Sequence, residues 1–300
     1  MATLLTDTGI PWSHRPPWDE RALMSVVPLV LRPRVPDRTR SRLKAFYGSN
    51  RDYVDHQSRH DASYFRRFTD VVIHTVLDRS VDILEIGAGS GDALRPLVEQ
   101  RDSVRIVALD LSLFALANVT DRNQDRVVPV GGDALALPFR HNTFDAVVCF
   151  EVIEHLPDVA GAVDEMLRVL RRPGCLVFGL PNHGSLWTPI EDAIHGRRRL
   201  AFGVDGRVGA LRWWAHNVRL AVTKRCSATN AFLYREPLLD GVTGGDGDAV
   251  YYSCPLDMIR CLRRCGARLV ETSAHRRFGW PGWLLPSELQ GASVLAWVVD

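Results

Sequence analysis

The sequence predicts an α/β protein whose core is a doubly wound, mostly parallel sheet of seven strands. Short runs rich in Val, Ile and Leu alternate with helical patterns from residue 81 to residue 180, and two further strand-like runs follow near the end of the chain. Strands covered on both faces are apolar along their whole length, and their alternation with helices is typical of parallel sheets. The fold class therefore follows from the order of the elements.

Each predicted strand is a short apolar run bounded by charged residues, glycine or proline. The clearest helix between strands is predicted at 158–172, where apolar residues recur every three or four positions before the Pro173–Gly174 pair. The seven strands are predicted at 81–86, 104–110, 126–133, 144–150, 175–180, 267–274 and 293–300.

The alternation of strands and helices stops at Pro181 and resumes after Ser253, which divides the chain into four parts. A helical pattern at 61–77 precedes the first strand. We expect an N-terminal arm and helices at 1–60, the α/β core at 61–182, an inserted lid or substrate-binding region at 183–253, and the completion of the core sheet at 254–300.

The composition is that of an ordinary globular protein, with 46% hydrophobic and 24% charged residues and a formal net charge of +2. This charge argues neither for nor against a nucleic-acid partner. No run reaches the length of a membrane span, and the apolar run at 22–31 lacks the basic start and small-residue cleavage site of a secretory signal. These features predict a cytoplasmic protein.

Three glycines, Gly87, Gly89 and Gly91, follow the first predicted strand at every second position. Glycine permits positive φ and lets a ligand approach the backbone. The dinucleotide fingerprint needs G-x-G-x-x-G, whereas the spacing here is G-x-G-x-G, with Asp92 next and Glu85 before it. Acidic flanks would repel a pyrophosphate, so the turn favours a cationic or zwitterionic ligand over NAD.

Acidic residues also follow the next strands. Asp110 ends the second strand, 19 residues after Gly91, where a carboxylate can bind both hydroxyls of a ribose. Asp133 follows the third strand, where it can accept from an adenine amine, and "FDAVVCFEVIEHL" closes the fourth. All these groups lie at carboxyl ends of strands, where an open α/β sheet binds its ligand.

These motifs resemble those of the class I S-adenosylmethionine-dependent methyltransferases, in particular the subgroup related to ubiquinone-type O-methyltransferases. The resemblance rests on "LEIGAGSGD", "IVALD", "GDALALPF", "FDAVVCFEVIEHL" and "LRVLRRPGCLVFGLPN". It covers about residues 62–182 and, more loosely, 250–300. It implies a Rossmann-like methyltransferase fold and S-adenosyl-L-methionine as cofactor, but it leaves the acceptor open because the arm and the insertion lie outside it.

The resemblance also implies a role for each residue of the motifs. The alternatives are a tight structural turn for the glycines and helix capping for Asp110 and Asp133. The implied contacts are Glu85, Gly87, Ala88, Gly89 and Gly91 with the methionine part, Asp110 and Leu111 with the ribose and the adenine edge, Asp133 and Ala134 with the adenine, and Phe150 and Glu151 with the methionine end near the sulfonium.

The string "EVIEH" places Glu151, Glu154 and His155 at i, i+3 and i+4, on one face of a helical turn. A hydroxyl acceptor has to lose a proton, so we expect His155 and Glu151 to be catalytic, with His155 as general base. In some relatives the same string binds magnesium, and many others carry it without a metal. No metal is assigned here. Histidines that could complete such a site are His183, His195 and His216.

The stretch from Pro181 to Arg235 contains nine Lys or Arg against three Asp or Glu, with several aromatic residues among them. Three hypotheses fit: a lid that packs its aromatics on the core, a lid that rests on an anionic membrane to reach a lipid-like acceptor, and a site for an anionic or nucleic-acid substrate. No known nucleic-acid module is present, so no nucleic-acid partner is expected. The Trp213–Trp214 pair is the predicted acceptor contact.

The predicted function is S-adenosylmethionine-dependent methyl transfer, to the oxygen of a small-molecule or lipid-like acceptor. Two alternatives remain. One is a cofactor-binding module of the same fold without methyl transfer, either regulatory or catalysing a rearrangement. The other is a nicotinamide-dependent dehydrogenase, which the glycine spacing opposes.

Overall fold

The computed structural model describes residues 35–49, 69, 72, 81–91, 93, 97–98, 102–119, 126–195, 206–226, 232–239, 246–274 and 293–299. The predicted arm before residue 35 lies outside these ranges, as does Asp92. Of the helix predicted at 61–77, the described residues are Thr69 and Val72, and both are helical.

The predicted seven-stranded, mostly parallel sheet is confirmed. The described strands are β1 Val81–Ile86, β2 Val104–Asp110, β3 Val127–Gly131, β4 Phe144–Phe150, β5 Leu170–Leu180, β6 Leu233–Tyr234, β7 Tyr251–Tyr252, β8 Arg268–Ala274 and β9 Ser293–Val299. Their order in the sheet is β3-β2-β1-β4-β5-β9-β8, and β6 and β7 form a separate antiparallel pair. The first five strands run parallel, while β9 is antiparallel to both β5 and β8.

The described helices pack on this sheet and in the inserted segment. None of them is both long enough and apolar enough to pass through a bilayer. They are α1 Asp37–Ser49, α2 Leu113–Ala117, α3 Val159–Val169, α4 Thr188–His195, α5 Gly206–Cys226 and α6 Pro255–Arg264, with a 3-10 turn at Ile153–His155.

The boundary between α3 and β5 was predicted wrongly. The helix ends at Val169 and the strand begins at Leu170, five residues before the predicted start. Leu170 pairs with Phe144 at the start of β4, and Arg171 binds Asp145 and Asp82 across β4 and β1, with Nη1···O distances of 2.8 and 3.2 Å. These contacts hold the amino ends of three strands together, at the edge of the sheet opposite the predicted ligand site.

The inserted segment contains α4 and α5, and buried polar contacts fix α5 to the core. The Lys224 ammonium forms an ion pair with Asp257 of α6 and donates to the Tyr252 carbonyl at 2.9 Å. Asn217 Nδ2 donates to the Ser185 carbonyl at 2.6 Å. Both Lys224 and Asn217 are buried. The packed face of α5 is the row Ala210, Trp213, Asn217, Leu220 and Lys224.

Candidate functional site

The order of the strands reverses between β1 and β4, because β2 and β3 lie on one side of this pair and β5 on the other. The carboxyl ends of parallel strands form a crevice at such a switch point. The topology brings the glycine turn after β1, Asp110 at the end of β2, Asp133 after β3 and the polar string after β4 to this edge. Glu85, Ala88, Ala134 and Phe150 are buried there.

The turn after β1 requires glycine. Gly87, Gly89 and Gly91 have φ values of +71°, +54° and +76°, in the left-handed region that favours glycine. A Cβ at Gly87 would lie 2.2 Å from Cγ2 of Val152, directly after β4. The absence of side chains therefore lets the loops after β1 and β4 meet.

Asp110 fastens this turn to β2. Its carboxylate accepts from the Gly89 amide at 2.9 Å and from the Ser112 amide at 2.7 Å. Burial raises the pKa of Asp110, and these hydrogen bonds act in the opposite direction. Because a carboxylate has about four lone-pair sites, it can still accept ribose hydroxyls. Leu111, which follows it, is half-buried.

Asp133 has a local structural role in addition to the predicted one. Its Oδ1 accepts from the Leu135 amide at 3.0 Å, which closes a local turn. The helix capping considered as the alternative does not apply, because turn residues and not a helix follow Asp133. Its Oδ2 lies 3.3 Å from Nζ of Lys44, which comes from α1. The N-terminal helix therefore reaches the predicted adenine side of the site.

The polar string after β4 forms a 3-10 turn rather than the predicted α-helical turn. Glu151 has a φ of +55°, and its amide donates to the Gly179 carbonyl of β5 at 2.8 Å. Glu154 is fully buried. Burial, with the nearby carboxylates of Glu151, Asp246 and Asp248, raises the pKa of Glu154 well above its usual value.

His155 is held by two residues from distant parts of the chain. The Tyr47 hydroxyl donates to Asp248 Oδ2 at 2.8 Å and lies 3.1 Å from Nδ1 of His155. Because that hydroxyl proton is donated to Asp248, a neutral His155 ring would meet the Tyr47 oxygen with its proton on Nδ1. This tautomer leaves a lone pair on Nε2, which lies 3.6 Å from Oε1 of Glu154. Tyr47, held by Asp248, thus orients the histidine, and general-base catalysis needs a base that is oriented by another group.

Glu154, His155 and Asp246 form a group, among the residues that the structure describes, that could hold a metal ion, with donor atoms within 4.8 Å of one another. His183 adjoins it, with Nε2 at 3.4 Å from Asp246 Oδ2. The Ser253 amide donates to His183 Nδ1 at 3.2 Å, and burial lowers the pKa of His183, which favours the neutral ring. The set differs from the predicted one, because Asp246 takes the place given to Glu151.

The other predicted histidines lie elsewhere. His195 is the last residue of α4. The ring of His216, on α5, lies 5.3 Å from the ring of Tyr252, where it contacts an aromatic side chain rather than the acidic cluster.

Tyr47, Asp246 and Asp248 were missed by the sequence analysis. Tyr47 is 108 positions before His155, in a helix with no motif. The two aspartates lie in "GGDGDAV", where acidic residues in a glycine-rich loop just before the sheet resumes were a usable signal. The Val250 amide donates to the Glu154 carbonyl at 2.8 Å and brings this loop to the site.

The predicted tryptophan pair does not act as a unit. Trp213 is buried, packed with Ala210 and against Ala193 of α4, whereas Trp214 is exposed. Trp213 is therefore a packing residue within the inserted segment, between α5 and α4.

Residues 84–178 match the family model described as a methyltransferase domain. This range begins in β1 and ends in β5, so it contains the glycine turn, Asp110, Asp133 and the polar string after β4. The chain carries a class I S-adenosylmethionine-dependent methyltransferase domain. The motif order, the glycine turn and the strand order all agree with this assignment, and S-adenosylmethionine is the cofactor of this class.

Curated relatives of this methyltransferase domain match over a limited range. A demethylmenaquinone methyltransferase of Renibacterium salmoninarum is 36% identical over 109 residues, which is 35% of this chain and 45% of the relative. A probable S-adenosylmethionine-dependent methyltransferase of Mycobacterium tuberculosis is 35% identical over 125 residues, 40% of this chain and 43% of the relative. The chain thus spans less than half the length of these relatives.

A solved structure extends the likeness of the methyltransferase fold over more of the chain. The 1,6-didemethyltoxoflavin-N1-methyltransferase of Burkholderia thailandensis, with 1,6-didemethyltoxoflavin and S-adenosylhomocysteine bound, has a TM-score of 0.51 at 16% identity and covers 88% of this chain and 90% of its own. At this identity the likeness shows the fold alone.

Proposed function

We propose that this protein transfers a methyl group from S-adenosylmethionine to a hydroxyl oxygen of a small-molecule or lipid-like acceptor, with His155 as general base. The observation that carries the proposal is the Asp248–Tyr47–His155 chain of hydrogen bonds at the end of β4. Val152, which packs into the glycine turn, lies three positions before His155. This closeness along the chain supports His155 as a base near the turn that is proposed to bind the methionine part.

The chain's own residues have two tasks in this reaction. Asp110 and the glycine turn would hold the cofactor, and His155 Nε2 would take the acceptor's proton. The cofactor supplies a methyl group activated as a sulfonium, so that the S–CH₃ bond breaks as the O–CH₃ bond forms. Since the methyl group is already activated, catalysis depends mainly on alignment and on exclusion of water.

The chemical class of the acceptor is proposed from two sources. The curated relatives include two proteins named demethylmenaquinone methyltransferase, which supports a lipid-like acceptor and not the choice of oxygen as the methylated atom. The inserted segment is basic and aromatic, and peripheral contact of this segment with a membrane would give access to such an acceptor.

A direct assay distinguishes methyl transfer from the alternative, which is cofactor binding without turnover. We expect release of S-adenosylhomocysteine when the protein is incubated with S-adenosylmethionine and a panel of quinols, catechols and phenolic lipids. NMR of the product would show whether the new methyl group is on oxygen. Tight binding of the cofactor with no release across the panel would favour the non-catalytic module, and methylation at carbon or nitrogen would contradict the proposed acceptor atom.

Asp110→Ala is expected to weaken S-adenosylhomocysteine binding by at least about tenfold. A hydrogen bond to a charged group contributes about 1.5–3 kcal/mol, and about 1.4 kcal/mol corresponds to a factor of ten. Titration calorimetry measures the effect, with Asp102→Ala as a matched exposed control. Unchanged affinity would place the ribose elsewhere, and binding of NAD in place of the adenosyl ligand would contradict the cofactor assignment.

A further inference from the structure

Helix α5 has two apolar faces, one of which is buried against the rest of the structure while the other is largely exposed. The packed face contains Trp213 and Leu220. On the other side lie Val208, Leu211 and Val222, which are 65%, 66% and 57% exposed. We call the row that they form with the exposed Ala215 and the half-buried Val218 the outer stripe.

The outer stripe is continuous. Its members are spaced alternately by three and four positions, which places them in one row along a helix, about 21 Å long at 1.5 Å per residue. It lies on the side opposite the row from Ala210 to Lys224 that faces the core. An exposed apolar row of this length marks an interaction surface more often than a single exposed residue does.

Basic residues border the outer stripe on both sides. At 100° per residue, Arg212 and Arg219 follow it on one side and Arg207 on the other, and all three are exposed. No Asp or Glu occurs in α5. If two copies of the protein paired through the outer stripe, their arginines would meet without acidic partners, which disfavours self-association. An anionic surface would instead neutralise them while their stems lie along the apolar row.

We propose that the outer stripe docks this protein on an anionic lipid bilayer, with α5 lying in the plane of the interface. Val208, Leu211 and Val222 would enter the boundary between headgroups and acyl chains, and the three arginines would contact the anionic headgroups. The buried Lys224–Asp257 pair ties this helix to α6 of the core, so docking would set the orientation of the domain. This inference rests on the proposed function, because docking on a bilayer would serve access to a lipid-like acceptor.

Flotation with vesicles tests the proposal without cofactor or acceptor. We expect the full chain to bind vesicles of phosphatidylcholine mixed with phosphatidylglycerol at low salt, and to bind pure phosphatidylcholine vesicles much less. Leu211→Gln with Val222→Gln should weaken binding by at least about tenfold, because apolar side chains no longer leave water. Arg212→Gln with Arg219→Gln should weaken binding to the anionic vesicles and reduce its dependence on salt.

Val128→Gln, an exposed valine of β3, is the matched control and should bind like the unchanged protein. Equal binding by the Leu211/Val222 variant, or no binding to anionic vesicles, would overturn the proposal. Light scattering tests whether a second copy of the protein occupies the outer stripe instead. A dimer that the Leu211/Val222 variant dissociates would assign the stripe to a second copy. Since turnover of a water-soluble acceptor is measured separately, loss of docking and loss of methyl transfer are distinguishable.

Discussion

Replacing His155 with alanine is expected to lower kcat about a hundredfold and to leave cofactor affinity nearly unchanged. A positioned general base contributes roughly 10²–10⁴ in rate, and a factor of a hundred corresponds to about 2.7 kcal/mol in activation free energy. His155 is oriented through Tyr47 and Asp248, while the proposed cofactor contacts lie on the turn after β1 and on β2. The measurement is steady-state turnover, with separate titration of S-adenosylhomocysteine.

Three comparisons distinguish a base from a structural residue. His216→Ala, on α5 beside Tyr252, is the control and should keep full activity. Added imidazole should partly restore turnover to His155→Ala, which a packing defect would not allow. Tyr47→Phe should lower kcat less than His155→Ala does, because it removes orientation and keeps the base.

A divalent cation at Glu154, His155 and Asp246 is the competing role for the same histidine. A bound cation would supply Lewis-acid activation of the acceptor hydroxyl. Turnover that a chelator abolishes and magnesium restores, with no imidazole rescue, would therefore contradict the general-base role. A turnover unaffected by chelator would support it.

The largest loss of stability is expected from Asp257→Ala, about 3–5 kcal/mol in the free energy of unfolding. Lys224 and Asp257 are both buried, so removal of one leaves the other charge uncompensated. Burial alone would lower the pKa of Lys224, but the Asp257 carboxylate raises it above its usual value, which keeps the ammonium charged. Chemical denaturation followed by circular dichroism measures the change.

Two variants show whether the buried charge is the cause. Asp102→Ala breaks an exposed pair with Arg126 and should cost less than about 1 kcal/mol. Lys224→Met with Asp257→Leu removes both charges and should recover part of the loss. The recovery should be incomplete because Asp257 also accepts from the Cys254 amide at 3.2 Å. A double variant as unstable as Asp257→Ala would contradict this explanation.

The sheet was predicted closely because its signals are local. An apolar run bounded by polar residues marked β1, β2 and β4 at their observed bounds. The start of β5 was missed because it depends on the pairing of Leu170 with Phe144, which no periodicity in the sequence shows. The helical pattern continued to residue 172, and the tertiary contact ended it earlier.

The sequence predicted one part of the candidate site and missed another. The glycine turn, Asp110 and Asp133 each lie at the carboxyl end of a strand, so strand order alone brings them to one edge. Tyr47 and Asp248 reach His155 from other parts of the chain, and their approach depends on how α1 and the loop before β7 pack. Side-chain partners separated by that distance leave no spacing rule in a single sequence.

Helix α1 contacts the two halves of the crevice at once. Lys44 reaches Asp133, and Tyr47, one helical turn later, reaches His155. These contacts belong to one rigid segment, so a displacement of α1 that uncovers the adenine side also withdraws the tyrosine from the histidine. On the proposed mechanism, His155 would be oriented as a base only while α1 keeps both contacts.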